Sequence, residues 1–185
     1  LMGPHCAALA ASPELLKSLN NDKLLPSTFN VPEKFEVGTL PYEIMAGASA
    51  AIDFIAEMAP GEAKTRREKI VNSMNSLAAY EDELLVYMES AIKSLPGVTM
   101  YGHAKHRTPT LYFSFANLSS GDIYKAMAAK RVNVPAHNFY ALEVSRKLGL
   151  GDDGALRAGL APYSTRDDVD RLVSGLREVL DSSSR

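Results

Sequence analysis

Hydrophobic residues recur at helical spacing in the first half of the chain and alternate in the second. Ser12-Pro13-Glu14 reads as a helix start, with a capping hydroxyl, Pro at the first helical position and an acid near the positive end of the dipole; the short helix carries Leu15, Leu16 and Leu19. Residues 20–41 hold three prolines and an Asn-Asn-Asp run and read as irregular. A helix is predicted from about Pro41 to Met58, with Ile44, Met45, Ala48, Ile52 and Ile55 as its apolar stripe. Its other side, Ala46-Gly47 and Ala50-Ala51, is bare of bulk, so another backbone can approach closely and burial on more than one side is expected. Pro60-Gly61 breaks the chain, residues 62–74 read as a charged helix, and Leu77 to Leu95 as a long amphipathic one ended by Pro96-Gly97.

The second half changes period. Val98–Tyr101 reads as a short strand, and in Thr108–Leu118 the residues Leu111, Phe113 and Phe115 alternate with Thr110, Tyr112 and Ser114. Ser120–Lys130 reads as a helix with Ile123, Met127 and Ala128 inward; Val132–Pro135 and Leu156–Ala161 read as strands. Thr165-Arg166-Asp167-Asp168 resembles a capping box ahead of a helix carrying Val169, Leu172, Val173, Leu176, Val179 and Leu180 on one face. The order β-β-α-β-β-α predicts a small sheet with helices on one face, an α+β sandwich able to bury its own core. The first block has helices and no sheet, so its apolar faces call for a preceding segment or a partner chain.

Composition narrows the function classes. The 185 residues carry Lys+Arg 20 against Asp+Glu 22, a formal charge of -2, without the basic excess of a nucleic-acid binder. No apolar run approaches the ~20 residues of a membrane span. One cysteine forms no internal disulfide and fits a reducing, cytoplasmic compartment. His103 and His106 have no partners at metal-ligand spacing, so no metal is expected. The opening Leu1-Met2-Gly3-Pro4-His5 has no leader character and reads as a chain that begins partway through a larger protein.

Five phrases then carry a resemblance: Gly3-Pro4-His5, Phe35-Glu36-Val37-Gly38-Thr39, Ala46 through Asp53, Tyr140-Ala141-Leu142-Glu143, and Arg157 through Thr165. Occurring in this order, they resemble the C-terminal half of a class V aminotransferase, in the cysteine desulfurase-like branch of the fold-type-I pyridoxal-phosphate enzymes. The resemblance implies an α/β protein overall. Residues 1–75 would be the helical remainder of the cofactor-binding large domain, 76–95 a connecting helix, and 96–185 a C-terminal α+β small domain with a mainly antiparallel sheet. It sets the Schiff-base lysine immediately before Leu1, so no catalytic residue is expected within the chain, and the chain alone is expected to be inactive. It further implies pyridoxal 5'-phosphate as cofactor, an amino acid or amine as substrate, and a homodimer, because the family's Gly-Thr pair, here Gly38-Thr39, reaches the cofactor phosphate of the other subunit.

Each implied residue has a plainer reading beside it. Thr39 is also placed to cap the helix near Pro41. Arg157 lies between Asp152-Asp153 and Tyr163-Ser164-Thr165; it reads either as a surface ion pair with those aspartates or, by the resemblance, as the fork for a substrate carboxylate. His137 and Asn138 lie on the loop Ala136–Tyr140, where they line the substrate pocket or are merely solvated. His5 is a turn residue or a neighbour of the cofactor. True desulfurases of the related branch carry a nucleophilic cysteine on the loop that is Ala136–Tyr140 here; this loop has aromatic residues and no sulfur, which disfavours cysteine desulfuration. Cys6 is expected to be a small buried thiol. Arg107, ahead of Thr108-Pro109-Thr110, is given no role. The reading that competes with an enzyme is a non-enzymatic α+β interaction module with residues 1–60 as a docking arm.

Overall fold

The computed structural model describes residues 3–183. The chain divides into two compact units, Leu1–Met74 and Asn75–Arg185.

The first unit has little regular structure before its main helix. α1 (Pro13–Ser18) is capped as expected, Leu15 N donating to Ser12 Oγ at 3.2 Å, but buries none of its residues. The stretch that follows is irregular apart from a 3-10 turn at Glu33–Phe35, where the buried Lys34 ammonium donates to Leu19 O at 2.8 Å. α2 (Tyr42–Ala56) matches its predicted span, yet Ala56 is its one buried residue, and Met45 and Phe54 are 49% and 62% exposed. The expected burial on several sides is therefore absent within this unit. The close approach does occur. A Cβ on Gly3 would stand 2.9 Å from Ala51 Cβ, and one on Gly47 would stand 3.1 Å from Pro4 Cγ, so Gly3-Pro4 lies directly on the small-residue side of α2. Cys6 is exposed, against expectation, because residues 5–14 are exposed throughout and offer nothing to bury it.

α3 (Arg66–Lys93) is a single helix of 28 residues where two were predicted. Its start is fixed by a capping box: Glu68 N donates to Thr65 Oγ1 while Thr65 N and Lys64 N donate to Glu68 Oε2 at 3.0 and 2.8 Å. Nothing between Met74 and Leu77 breaks it, since Asn and Ser lower helix propensity without removing a hydrogen bond.

The second unit is a two-layer α+β sandwich. Its strands are β1 (Val98–Tyr101), β2 (Thr110–Phe115), β3 (Ala136–His137) and β4 (Ala155–Gly159), in the order β1-β2-β4-β3 and antiparallel at every pairing. α4 (Ser120–Ala129) and α6 (Arg166–Ser183) join the later turns of α3 in covering one face. The alternation in β2 turns Leu111, Phe113 and Phe115 into the core with Leu156 and Ala158 of β4. Met88 and Ile92 of α3, Ile123 and Met127 of α4, and Leu172, Val173 and Leu176 of α6 close over them. Each large side chain buried in this way contributes about 1.5–3 kcal/mol. α6 starts at the predicted capping box, with Thr165 N donating to Asp168 Oδ2 at 2.9 Å.

Three details differ from the sequence reading. Ala128 is exposed, and Ala126 takes the half-buried place beside Met127. The third strand is Ala136–His137 and not Val132–Pro135; Val134 is buried in the core, and Pro135, which has no N–H, takes part only by accepting from Arg157 N at 2.9 Å. A short helix, α5 (Leu142–Lys147), follows the loop and was not anticipated.

Candidate functional site: an arginine on the open face of the sheet

The core helices of the second unit pack on one face of its sheet, and the strand alternation decides which side chains stand on the other. Tyr112 of β2 lies directly opposite Arg157 of β4, and Tyr101 of β1 directly opposite Tyr112, so the three form a row across the sheet. The Tyr101 and Tyr112 rings pack at 5.7 Å. Arg157 is exposed, and its guanidinium lies 3.9 Å above the centre of the Phe139 ring. The anticipated ion pair with Asp152 or Asp153 does not form. Arg146 of α5 takes Asp152, at 2.7 and 3.0 Å, and this hydrogen-bonded pairing holds the Asp152 carboxyl below the usual carboxylate range. Among the described residues no carboxylate pairs with Arg157.

The loop that brings Phe139 over the arginine is tightly specified. Phe139 and Tyr140 both have left-handed backbone, φ 52° and 66°, which is unfavourable for bulky residues. Side chains of the two preceding residues hold it there. Phe139 N donates to His137 Nδ1 at 3.3 Å, and Tyr140 N to Asn138 Oδ1 at 3.0 Å. Asn138 Nδ2 donates in turn to Asp152 O at 2.8 Å, so both ends of this amide serve the loop. His137 is exposed on the strand edge; with Nδ1 accepting, its neutral ring carries the proton on Nε2. Tyr112 Oη accepts from Ala155 N at 2.8 Å and donates to His137 O at 3.0 Å, pinning the loop to β4. Gly154 is buried beneath this peptide: a Cβ there would lie 2.2 Å from His137 O.

Of the residues singled out from sequence, then, Arg157, His137 and Asn138 are brought together. Tyr112 and Phe139 belong with them and were overlooked. The signal for Tyr112 was available, since the alternation that buries Leu111 and Phe113 turns it outward. No sequence pattern announces that Phe139 folds back over Arg157, because its conformation depends on hydrogen bonds to its neighbours' side chains.

Gly38, Thr39 and His5 belong to the first unit. Thr39 is exposed and does not cap α2, whose N-cap is Pro41 with no side-chain hydrogen bond. Gly38 has φ 85°, with no atom within 4 Å of where a Cβ would stand, so this turn needs glycine for its backbone and not for space. The pair precedes a 15-residue helix whose first turn carries Glu43. His5 is exposed. In the second unit Arg107 pairs with Glu89, which also meets Lys93 at 2.7 Å; the Lys93 hydrogen bond, with Arg107 adding to it, outweighs partial burial and holds the Glu89 carboxyl below its ordinary range. No cluster of His, Cys, Asp and Glu able to hold a metal ion occurs among the described residues, and no helix among them is long and apolar enough to cross a membrane.

Comparison with known proteins agrees with this architecture. The chain is 28% identical over 179 residues to an uncharacterized protein of Mycobacterium tuberculosis, covering 96% of this chain and 44% of that one. It is 26% identical over 148 residues to a cysteine desulfurase of Synechococcus elongatus, covering 80% of this chain and 21% of that one. The crystal structure of the cysteine desulfurase CsdA from Escherichia coli superposes with a TM-score of 0.67 at 26% identity, over 82% of this chain and 34% of that one. The chain thus spans less than half the length of these relatives. The family model for class-V aminotransferases matches residues 19–172, a range that takes in Gly38, Thr39, the Ala136–Tyr140 loop and Arg157, and the chain belongs to that family.

Proposed function

We propose that this chain is the C-terminal part of a pyridoxal-phosphate enzyme acting on an amino acid or amine, with Arg157 as receptor for the substrate carboxylate. The observation that carries the reading is the guanidinium on the open sheet face, stacked on Phe139 and left without an acidic partner among the described residues. A planar, permanently charged fork with in-plane N–H donors suits a carboxylate better than an ammonium would. His137, whose Nδ1 accepts from Phe139 N, has Nε2 left to meet a substrate. Asn138 shapes the same pocket by fixing the loop.

The residues near α2 suit the cofactor's phosphate. The Thr39 hydroxyl is not engaged in capping, Gly38 leaves its surroundings open, and the helix N-terminus behind them has no side-chain cap, a donor set that favours an anion. In this reading they serve the neighbouring subunit of a homodimer, and His5 stands near the ring of the cofactor. Leu25, Phe29 and Phe54, which are 97%, 81% and 62% exposed, support a partner-covered surface on the first unit. Pyridoxal phosphate supplies an electron sink for a carbanion at the substrate's α-carbon. This chain's own residues bind and orient: Arg157 fixes the carboxylate, and Gly38 and Thr39 hold the phosphate.

The loop Ala136–Tyr140 carries no thiol, and Cys6, the one cysteine, lies in the other unit. Persulfide formation needs a thiolate within reach of the substrate sulfur, so the proposed reaction is not desulfuration by a loop cysteine. The lysine that anchors the cofactor is proposed immediately ahead of Leu1; Leu1 and Met2 lie outside the described residues. The test is spectroscopic. The whole protein is expected to turn yellow on addition of pyridoxal phosphate, and Arg157→Ala to keep the colour while losing the spectral response to an amino acid. A parent that stays colourless, or an Arg157→Ala variant that responds to amino acids like the wild type, overturns the reading.

A further inference from the structure

An arginine on an open strand ordinarily samples many rotamers, and a carboxylate that binds it must first order it. Arg157 is not in that situation. The Phe139 ring lies 3.9 Å from its guanidinium carbon. The ring has edge contacts of its own, to Tyr112 at 6.2 Å and to His137 at 6.2 Å. The backbone beneath it is held in the left-handed region by the hydrogen bonds to His137 Nδ1 and Asn138 Oδ1. Two consecutive bulky residues in that region are a costly arrangement, and its visible result is a ring laid flat under a cation.

We propose that Phe139 is a positioning residue for Arg157: its face fixes the plane of the guanidinium, so that the in-plane N–H edge meets a substrate carboxylate already oriented. Stacking engages the face of the cation and carboxylate binding its edge, so the two do not compete. The proposal rests on the reading of Arg157 as the carboxylate receptor and adds to it the group that orders that receptor. It also gives the loop a purpose that needs no sulfur.

The test is an NMR titration of the isotopically labelled whole protein, following the Arg157 Nε–Hε signal. L-alanine is one probe; L-alaninamide, which lacks the carboxylate, is the other. The ring current of Phe139 should displace the Arg157 signal from those of the other arginines before any probe is added. Phe139→Leu keeps a bulky residue on the same backbone but removes the aromatic face. It is expected to abolish that displacement and to weaken L-alanine binding about two- to fivefold, the range of an exposed cation–π contact. Phe139→Tyr should restore both, which a merely space-filling role would not require. L-alaninamide should bind all three equally poorly. If Phe139→Leu keeps the displaced signal, or binds L-alanine as the wild type does, the proposal is overturned while the carboxylate reading stands. If the wild-type Arg157 signal responds to L-alaninamide as strongly as to L-alanine, or does not move with L-alanine, the carboxylate reading itself falls, and this proposal with it.

Discussion

Gly154→Ala is the sharpest perturbation the sheet offers. Gly154 has φ 72°, and an added methyl would stand 2.2 Å from His137 O, 2.3 Å from His137 C and 2.4 Å from Asn138 N. Those are backbone atoms, which cannot swing aside as the tip of a side chain can. To restore van der Waals separation, the His137–Asn138 peptide must retreat by roughly 1 Å. That retreat stretches the Tyr112 Oη bond to His137 O, now 3.0 Å, and the two-residue pairing of β3 with β4. Left-handed backbone at a non-glycine residue costs about 1–2 kcal/mol. Overpacking against backbone adds about 1–3 kcal/mol, for a combined loss of roughly 2–5 kcal/mol. Gly149→Ala separates the two contributions, because Gly149 has φ 76° and no atom within 4 Å of the new methyl. Amide exchange of Leu156 and Ala158 in β4 reports the outcome. Protection should fall further in Gly154→Ala than in Gly149→Ala, by about five- to a hundredfold, since 1.4 kcal/mol is tenfold. Equal losses in the two variants would refute the close-approach reasoning.

Tyr112→Phe removes the acceptor of the Ala155 N–H, in a residue that is 0% exposed; a loss of about 1–3 kcal/mol is expected in thermal melts followed by circular dichroism, and an unchanged melting temperature would count against the pin. Glu89→Gln takes the carboxylate from between Arg107 and Lys93, at about 1–2 kcal/mol near neutral pH. The folded-state pKa of Glu89 is depressed, so its stabilisation is present above the ordinary glutamate range and is lost as pH falls through the lowered value. The wild-type advantage over Glu89→Gln should therefore vanish in acid urea titrations, and an advantage that persists there would contradict the assignment. Gly175→Ala in α6 sets a gain in helix propensity of about 1 kcal/mol against a contact of 2.9 Å with Met127 Cε, the flexible end of a side chain; a small net stabilisation is expected, and a loss above about 1 kcal/mol would mean that Met127 cannot move.

Much of this fold is legible in the sequence, for reasons that differ by element. β2 and α6 announce themselves because one face of each is buried and their periods are undisturbed. The start of α3 was legible too, in Thr65 and Glu68, but the run of charge ahead of it drew the expected helix back to residue 62. α5 has the marks of a helix, with Glu143 in its first turn, Arg146 and Lys147 in its last and Gly149 beyond, yet its six residues are too few to show a period. β3 was misplaced because Val134 is buried as a core plug and not as a ladder residue. At the site, Arg157 could be named from a family phrase and His137 from the loop that precedes another. The aromatic stacking could not, since it arises from left-handed residues held by side chains. The plain readings of Thr39 and Arg157 differ from the structure for separate reasons: the N-cap of α2 is Pro41, two residues beyond Thr39, and Asp152 is taken by Arg146.

The strand that bears Arg157 sits between β2 and β3, both of which leave the ribosome before it. A growing chain can zip β1 to β2 as a local hairpin, but β3 has no neighbour until Ala155–Gly159 has been synthesised and inserted. Threading the last strand into the middle is thus the same event as displaying the cation. Partly made or partly unfolded chains lack the strand pairing that sets Arg157 opposite Tyr112, so under the proposed function a carboxylate receptor forms only once β4 is seated.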